Sequence, residues 1–241
     1  MNSWKEGLWL AQLELKVTTF KRIYSQLIMI VLFSLFLATT VDGYLENNAV
    51  LFDIFFILIF VYLGPWTVPK DFQYQKITHN RFGSPYFTLL NQLPINSGSV
   101  IKSRFIISFV NTIPSQSIIL IAFYYFSPII SETLSPFEYL AFSILWIGVG
   151  LTLGSIFPAS DVGDYAGKFK VSFYGVALVI GFGLVLFLFS TFSNGIVHAT
   201  IIAVQEWPLI SIILSIIIAI TSIIAWMKSA MNKMNKMDYF V

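Results

Sequence analysis

The sequence predicts an all-α, polytopic membrane protein with six transmembrane helices, an N-terminal interfacial helix and a short cytoplasmic helix. Three observations favour this class. Of the 241 residues, 57% are hydrophobic and 11% are charged, which is less than half the charged fraction of a typical soluble domain. The apolar residues form long runs instead of the amphipathic stripes of soluble helices. The basic residues are confined to alternate polar segments.

The first element is an amphipathic helix within residues 1–23. Its apolar residues recur at helical spacing along one face, namely Trp4, Leu8, Ala11 and Leu15, flanked by Trp9 and Leu13. The other side carries the charged residues Lys5, Glu6, Glu14 and Lys16. Tryptophan beside a charged face is typical of a helix that lies in the membrane interface. A soluble N-terminal helix is the alternative.

Six apolar runs follow, and each is close to the ~20 residues that cross the hydrocarbon core of a bilayer. They cover residues 24–41, 49–69, 105–126, 137–157, 171–192 and 208–227. We expect residues 24–227 to form one transmembrane domain, with a cytoplasmic tail at 228–241. Within residues 195–207 lies an apolar stretch that is too short to cross a membrane. It predicts either a re-entrant outer segment or a longer fifth span.

The distribution of lysine and arginine predicts the orientation of these spans. Four basic residues precede the first span, five lie between the second and third, two follow the fourth and three follow the sixth. This accounts for all fourteen, and the remaining loops carry acidic residues instead. Because loops rich in lysine and arginine stay in the cytoplasm, both termini and the loop 70–104 are predicted to be cytoplasmic.

The loop 70–104 contains a short helix with signals at both ends. Ser84 fits the N-cap position and Pro85 the first helical position. The spacing of the next apolar residues predicts one shared face made of Tyr86, Leu89, Leu90 and Leu93. Pro94 is expected to end this helix, and Asn96 or Ser97 to cap the next one.

Basic residues surround this short helix, and they include Arg81, Lys102 and Arg104. An apolar face within a basic surround suits docking, since the apolar side chains supply contact area and the charges supply orientation. The sequence therefore predicts that the loop 70–104 presents a surface to a soluble partner. An amphipathic helix that rests on lipid is the alternative.

Catalytic and metal-binding motifs are missing from the sequence. The two histidines, His79 and His198, fall on opposite sides of the predicted membrane. The segment Gly163-Asp-Tyr-Ala-Gly-Lys-Phe has three residues between its glycines and no Ser or Thr after the lysine, so it departs from a phosphate-binding loop. We expect no enzyme activity, no cofactor and no nucleic-acid partner for this chain.

Few polar side chains fall within the predicted spans. Asp53 lies near the outer end of the second span, and Asn111 and Gln116 lie in the third span on either side of Pro114. These three polar residues are candidates for a translocation path, and hydrogen bonding between helices is the alternative. They do not amount to the ion relay of a coupled carrier, so energy for transport would have to come from another subunit.

Glycines at 148, 150 and 154 recur along the fourth span. Small residues at this spacing let helix backbones approach closely in a membrane. Two contacts satisfy the pattern equally well, one between helices of a single bundle and one between two copies of the chain.

With these features in place, the chain resembles the membrane subunits of ABC type-2 exporters. The layout of a basic N-terminal helix, six spans and a long loop after the second span covers nearly the whole chain. The stretch LLNQLPINSGSVIKSR at 89–104 is similar to a recurring pattern of that family. The pattern is a leucine pair, Leu-Pro, a polar turn and a basic start of the third span. The motif covers these sixteen residues only.

The resemblance implies half of a transporter in the bacterial cytoplasmic membrane. A second membrane subunit would complete the pore as a homodimer or heterodimer, and two copies of an ATP-binding subunit would supply ATP and magnesium. The expected contacts to the ATP-binding subunit are Tyr86, Leu89, Leu90, Leu93, Pro94, Arg81, Lys102 and Arg104. The expected cargo is an amphipathic or hydrophobic molecule, such as an antimicrobial or self-made peptide.

Two other functions remain open from the residues alone. A membrane scaffold or sensor would recruit a soluble partner through the loop 70–104 without nucleotide dependence. An ion-coupled carrier would depend on Asp53 and on a proton or sodium gradient.

Overall fold

The computed structural model describes residues 3–16, 20–47, 50–66, 72, 75–78, 81–165 and 168–236. Over these ranges the chain is predominantly helical, as the sequence predicted. The helices are α1 Ser3–Lys16, α2 Phe20–Asn47, α3 Val50–Trp66, α4 Pro85–Asn91, α5 Ser97–Phe126, α6 Pro128–Thr133, α7 Pro136–Gly154, α8 Ile156–Ser160, α9 Lys168–Ser193, α10 Ile196–Glu206 and α11 Pro208–Met234. Residues 67–71, which hold the end of the second predicted span and the start of the predicted loop, lie outside the described residues. So do His79, Gly167, the side chain of Arg81 and the end of the tail at 237–241.

Four helices in the described ranges are long and apolar enough to cross a membrane. They are Ile23–Glu46, Ser97–Phe126, Pro136–Ser160 and Pro208–Met234. The pair Ile180–Thr191 and Ile196–Glu206 meets the same requirement together, with a bend of 56° between its halves. The described part of the chain therefore has four or five helices of membrane-spanning length, where the apolar runs predicted six.

The remaining predicted span corresponds to the shorter apolar helix Val50–Gly64. At 1.5 Å per residue, fifteen residues reach about 22 Å, less than the ~30 Å of a hydrocarbon core. The bend between α9 and α10 has a local cause as well. Asn194 and Gly195 have φ values of 58° and 123°, and this left-handed backbone interrupts a right-handed helix.

Two of the long helices extend beyond the apolar runs that predicted them. Helix α5 begins at Ser97, eight residues before its apolar run, because the Asn96 side chain accepts a hydrogen bond from the Gly98 amide at 2.8 Å and caps the helix there, as the sequence predicted. Helix α11 continues to Met234, so the first part of the predicted tail is its last turns. Hydropathy marks the lipid-crossing part of a helix, whereas capping marks its end.

A small antiparallel sheet is an element that the sequence analysis missed. It contains β1 Gln75–Thr78, β2 Arg81–Gly83 and β3 Asp164–Tyr165, in the order β1-β2-β3. Lys76 faces Phe82, and Phe82 also faces Asp164 on the third strand. Strands of two to four residues show no readable alternation. The sheet holds the segment after α8 against the loop that precedes α4.

The larger core of the bundle, which we call the central cluster, is rich in aromatic rings. It joins side chains of α2, α3, α5, α7 and α10. Phe56 of α3 lies edge-on to Trp146 of α7 with ring centroids 4.5 Å apart, and it also contacts Phe123 of α5 at 5.9 Å. Such edge-to-face pairs add stability beyond the area that they bury.

A second core, which we call the basal cluster, lies at one end of the bundle. Its buried residues are Leu10, Phe87, Leu90, Val100, Ile101, Phe105, Ala159, Val162, Ala230 and Met234. They come from α1, α4, the start of α5, the region of α8 and the last turns of α11. The N-terminal helix and the end of α11 therefore lie at the same end of the bundle.

The glycines of α7 form contacts within the chain. A Cβ atom at Gly148 would collide with Ser215 of α11, and one at Gly150 would collide with Gln116 of α5. Ser215 also donates to the carbonyl oxygens of Ile144 and Leu145, each at 3.3 Å. These two glycines therefore allow α5 and α11 to pack closely against α7 inside one bundle.

Candidate functional site

Helix α4 begins as the sequence predicted. The Ser84 hydroxyl accepts a hydrogen bond from the Phe87 amide at 3.4 Å, and Pro85 occupies the first turn. Ser84 also donates to the Phe72 carbonyl at 3.0 Å, and its amide donates to the Asp161 carbonyl at 3.2 Å. The N-cap residue thus fastens the helix to the segment after α8 as well as to its own loop.

The helix ends earlier than predicted, at Asn91 instead of Pro94. The Gln92 and Leu93 amides donate to the carbonyl oxygens of Leu89 and Leu90 at 3.1 and 3.2 Å. These bonds span three residues, and they tighten the final turn as a 3₁₀ turn does. Leu93 consequently lies beyond the helix, and Pro94 is exposed next to it.

The prediction of a single apolar face on α4 is wrong for Leu90. Leu90 is 4% exposed and packs with Phe87 in the basal cluster, whereas Leu89 and Leu93 are 55% and 48% exposed. Phe87 and Leu90 are three residues apart and form a second apolar stripe, which turns inward. Tyr86 is half-buried beside them. Helix α4 therefore has one apolar side in the protein core and another at the surface.

Arg104, predicted to contact a partner, is instead enclosed within the chain at 3% exposure. Its guanidinium pairs with the carboxylate of Glu14 on α1, and its Nε atom is 2.7 Å from Oδ2 of Asp161 after α8. Its Cζ atom lies 5.9 Å from the centroid of the Tyr86 ring. We call Arg104, Glu14 and Asp161 the ion cluster. It links α1, the start of α5 and the end of α8, and it leaves no free face on Arg104 for another protein.

Tyr86 lies at the edge of the ion cluster. Burial raises the pKa of its hydroxyl, the charge of Glu14 raises it further, and Arg104 acts in the opposite direction. The phenol therefore stays protonated at neutral pH. Its ring covers the guanidinium without adding a charge to the cluster.

Lys102 attaches the N-terminal helix to α5. Its ammonium group donates to the Ser3 hydroxyl at 2.5 Å and lies 4.7 Å from the centroid of the Trp4 ring. One turn earlier, the Ser99 hydroxyl donates to Glu6 at 2.6 Å. Lys102 is partly buried, so its main contacts in this structure are with α1.

The N-terminal helix is amphipathic, but its faces differ from the prediction. It buries Gly7, Leu10, Ala11 and Glu14 against the bundle. It exposes Trp4, Leu8, Trp9 and Leu13. Glu14, expected on the polar side, is buried because it neutralises Arg104. Ala11, expected on the lipid face, is buried because a small side chain allows close packing. The exposed face carries two tryptophans, as an interfacial helix does.

At the opposite end of the bundle, Asp53 is buried at 1% exposure. One carboxylate oxygen accepts hydrogen bonds from the Tyr44 hydroxyl and the Val197 amide, each at 2.9 Å. The other accepts from the Ile196 amide at 3.0 Å. The amides belong to the first turn of α10, so Asp53 of α3 caps the N-terminus of a distant helix.

Gly195 makes this long-range cap possible. It stands at the N-cap position of α10, where it has no side chain to satisfy the first amides. A Cβ atom there would collide with Tyr44 and would lie 2.5 Å from Asp53. Its φ of 123° also favours glycine. The position thus leaves space for the Asp53 carboxylate, and the contacts of Asp53 are those of a helix cap.

Gln116 and Asn111, the other candidates for a translocation path, lie in the middle of α5. The Gln116 amide nitrogen donates to the Phe60 carbonyl of α3 at 2.5 Å. Nearby, Gln26 of α2 donates to the Ser115 hydroxyl at 2.6 Å. One polar atom each on Gln116 and Asn111 is buried with no hydrogen-bond partner in the described part of the chain. The Gln116 and Gln26 hydrogen bonds join α5 to α3 and α2.

The candidate path residues do not form one group. Asp53 lies in the first turn of α3, whereas Gln116 donates to the carbonyl of Phe60, seven residues or about 10 Å further along that helix. No set of three or more His, Asp or Glu side chains in the described ranges could hold a metal ion. Helix α4 has exposed apolar side chains on one side and buried contacts with the basal cluster on the other. We therefore take α4 together with the ion cluster as the candidate functional site.

Several residues of this site were absent from the sequence-based expectations. Glu14 and Asp161 are the partners of Arg104, and Phe87 is the main inward anchor of α4. One signal was available, since an arginine directly before a long apolar run needs an acidic partner if it is buried. Tyr44, the neutral partner of Asp53, carried no comparable signal.

No protein-family model matches the chain, and no curated protein or solved structure shows significant similarity to it. Function is therefore inferred from the chemistry of the two ends of the bundle.

Proposed function

We propose that this chain is the membrane subunit of an ATP-driven ABC exporter, and that a separate ATP-binding subunit docks on α4. The observation that carries the proposal is the two-sided packing of this helix. Leu89 and Leu93 are exposed at the surface, while Phe87 and Leu90 on the other side are held in the basal cluster. A partner that pushes on the exposed leucines therefore acts on the helices that meet in that cluster.

The ion cluster supports this route for the applied force. Ser84 at the start of α4 is hydrogen-bonded to the Asp161 backbone, and the Asp161 side chain is paired with Arg104 of α5. Arg104 is paired in turn with Glu14 of α1. Buried charge pairs resist separation because each lone charge would lose its compensation. Movement of α4 would consequently carry α1, α5 and the end of α8 with it.

In the proposed topology the basal cluster faces the cytoplasm. Its end of the bundle carries Lys102 and the three lysines at the end of α11, which agrees with the enrichment of basic residues on the cytoplasmic side. The six spans would be α2, α3, α5, α7 with α8, α9 and α11, and the short α3 would require a locally thinner bilayer. Helix α10 would lie at the outer face as the re-entrant segment, held there by Asp53. Both termini would then be cytoplasmic.

The proposed assembly contains two membrane subunits, identical or related, and two ATP-binding subunits that carry ATP and magnesium. It would reside in the bacterial cytoplasmic membrane. The surface of the helices is apolar along most of α11 and the second half of α9, and this suits lipid, the second membrane subunit and a hydrophobic cargo. An amphipathic or hydrophobic peptide is the proposed cargo, in export or in self-protection.

The test is copurification of the tagged chain from native membranes in mild detergent, followed by an ATP-hydrolysis assay. We expect an ATP-binding protein in a constant ratio to the chain, with hydrolysis that follows the complex through size-exclusion chromatography. A chain that purifies alone without hydrolysis would contradict the exporter. A partner that binds through α4 without ATPase activity would indicate a membrane scaffold instead.

A further inference from the structure

A polar stripe runs along one face of the last turns of α11 and the turn that follows them. Ala225, Lys228, Ser229, Asn232, Lys233 and Lys236 follow the spacing of a single helix face, and together they line one open pocket. The opposite face of the same turns contains Ala230 and Met234, which are buried in the basal cluster. The stripe therefore faces away from the bundle on a helix whose orientation is fixed by its inner face.

The polar stripe continues an exposed apolar stripe on the same helix. Leu214, Ile217 and Ile218 are each about half exposed, and with Thr221 they precede Ala225 at the same helical spacing. Helix α11 is the most hydropathic of the four membrane-length helices, with a mean hydropathy of 2.7, and 17% of that window is buried. One continuous face therefore changes from exposed apolar side chains to a lysine-lined pocket.

This combination matches one class of partner. The pocket has three lysines, a hydroxyl and an amide among its six lining residues, and no acidic residue is among those six. Lysine ammonium, serine hydroxyl and asparagine amide groups all donate hydrogen bonds, and a phosphodiester offers only acceptors and negative charge. The adjacent apolar stripe is suited to an acyl chain. A small soluble anion has no apolar part that could contact that stripe.

We infer that this face of α11 binds an anionic phospholipid. The headgroup phosphate lies among Lys228, Ser229, Asn232, Lys233 and Lys236, and an acyl chain runs along Leu214, Ile217 and Ile218. Bound lipid would place negative charge beside lysines that adjoin an exposed apolar stripe. The inference needs α11 to span the membrane, and it is independent of the proposed ATP-binding partner.

The test titrates the detergent-solubilised protein with mixed micelles of phosphatidylglycerol or phosphatidylcholine and follows the midpoint of thermal unfolding. The test variant is Lys228→Gln/Lys233→Gln/Lys236→Gln. The matched control is Lys5→Gln/Lys16→Gln/Lys76→Gln, which removes the same charge from three other exposed lysines. A third titration uses inorganic phosphate in place of lipid.

We expect wild type to prefer phosphatidylglycerol, and the test variant to lose roughly ten- to a hundred-fold in apparent affinity for it. The control should retain the preference within about three-fold, and both variants should unfold at the wild-type temperature in phosphatidylcholine. An unchanged preference in the test variant would overturn the inference. So would an equal loss in the control, which would indicate a general charge effect. Equal stabilisation by inorganic phosphate would indicate a soluble-anion site instead.

Discussion

Replacement of Arg104 by methionine is expected to lower the free energy of unfolding by about 3–5 kcal/mol. The substitution removes the positive charge between Glu14 and Asp161, whose exposures are 3% and 9%. Two buried carboxylates would then lose the guanidinium that compensates their charge. For a chain of this size, such a change corresponds to a fall of roughly 10 °C in the midpoint of thermal unfolding.

Two further variants separate this effect from a general loss of packing. Lys102→Met, two residues away, loses a partly buried hydrogen bond to Ser3 and should cost about 1 kcal/mol. Replacing Arg104, Glu14 and Asp161 together with apolar residues should recover most of the stability, because no lone charge remains buried. If Arg104→Met unfolded at the wild-type temperature, the ion cluster would not be a stabilising connection between α1, α5 and α8.

Replacement of Asp53 by alanine is expected to cost roughly 2–4 kcal/mol. The carboxylate accepts hydrogen bonds from the Tyr44 hydroxyl and from the amides of Ile196 and Val197. All three donors would lose their acceptor, and Gly195 has no side chain to replace it. The measurement is thermal unfolding in detergent. Relative to wild type, the variant should show a larger increase in hydrogen exchange at the first α10 amides than at the α7 amides.

The Asp53 prediction has a close control and an independent second probe. Asp42→Ala removes an exposed acid from the last turns of α2, near the same end of the bundle as Asp53. It should change the free energy of unfolding by less than about 0.5 kcal/mol. Gly195→Ala should destabilise the same end of the bundle, because its Cβ would occupy the space next to Tyr44 and Asp53. Normal exchange of the α10 amides in Asp53→Ala would show that another group caps this helix.

The parts of the site that the sequence predicted are those set by neighbouring residues. Ser84 caps α4 and Asn96 caps α5, as expected, because an N-cap needs only a short polar side chain beside its own helix. The sequence also predicted a membrane protein, because hydropathy is summed over neighbouring residues and needs no knowledge of distant contacts. The extension of α11 to Met234, beyond its apolar run, was missed, because hydropathy records lipid contact and not hydrogen bonding.

The parts that the sequence did not predict depend on distant partners. Arg104 pairs with residues 90 and 57 positions away, and its place in the sequence does not show which distant acids will pair with it. The orientation of α4 also depends on residues that are distant in the sequence. Leu89 and Leu90 are adjacent and chemically identical, so only the position of the basal cluster decides which of them is buried.

Asp53 shows how a predicted functional residue can have a structural task. An acid inside an apolar run is unusual and therefore attracts a functional interpretation. Here the carboxylate is matched by two backbone amides from a helix 143 and 144 positions further along the chain. A helix that begins with glycine has no polar side chain at its own N-cap, and in retrospect this was a usable signal at Gly195.

The docking of an ATP-binding subunit on α4 is tested most directly by copurification with the variant Leu89→Glu/Leu93→Glu. Both side chains are exposed, so the chain should insert and fold normally while the partner and its ATP hydrolysis are lost. Leu89→Met/Leu93→Met should retain the partner, because the surface stays apolar. Gln92→Glu adds a negative charge between these two leucines without removing either of them, and so tests the effect of charge alone. If Leu89→Glu/Leu93→Glu still brought down the ATP-binding subunit at the wild-type ratio, α4 would not be the docking site.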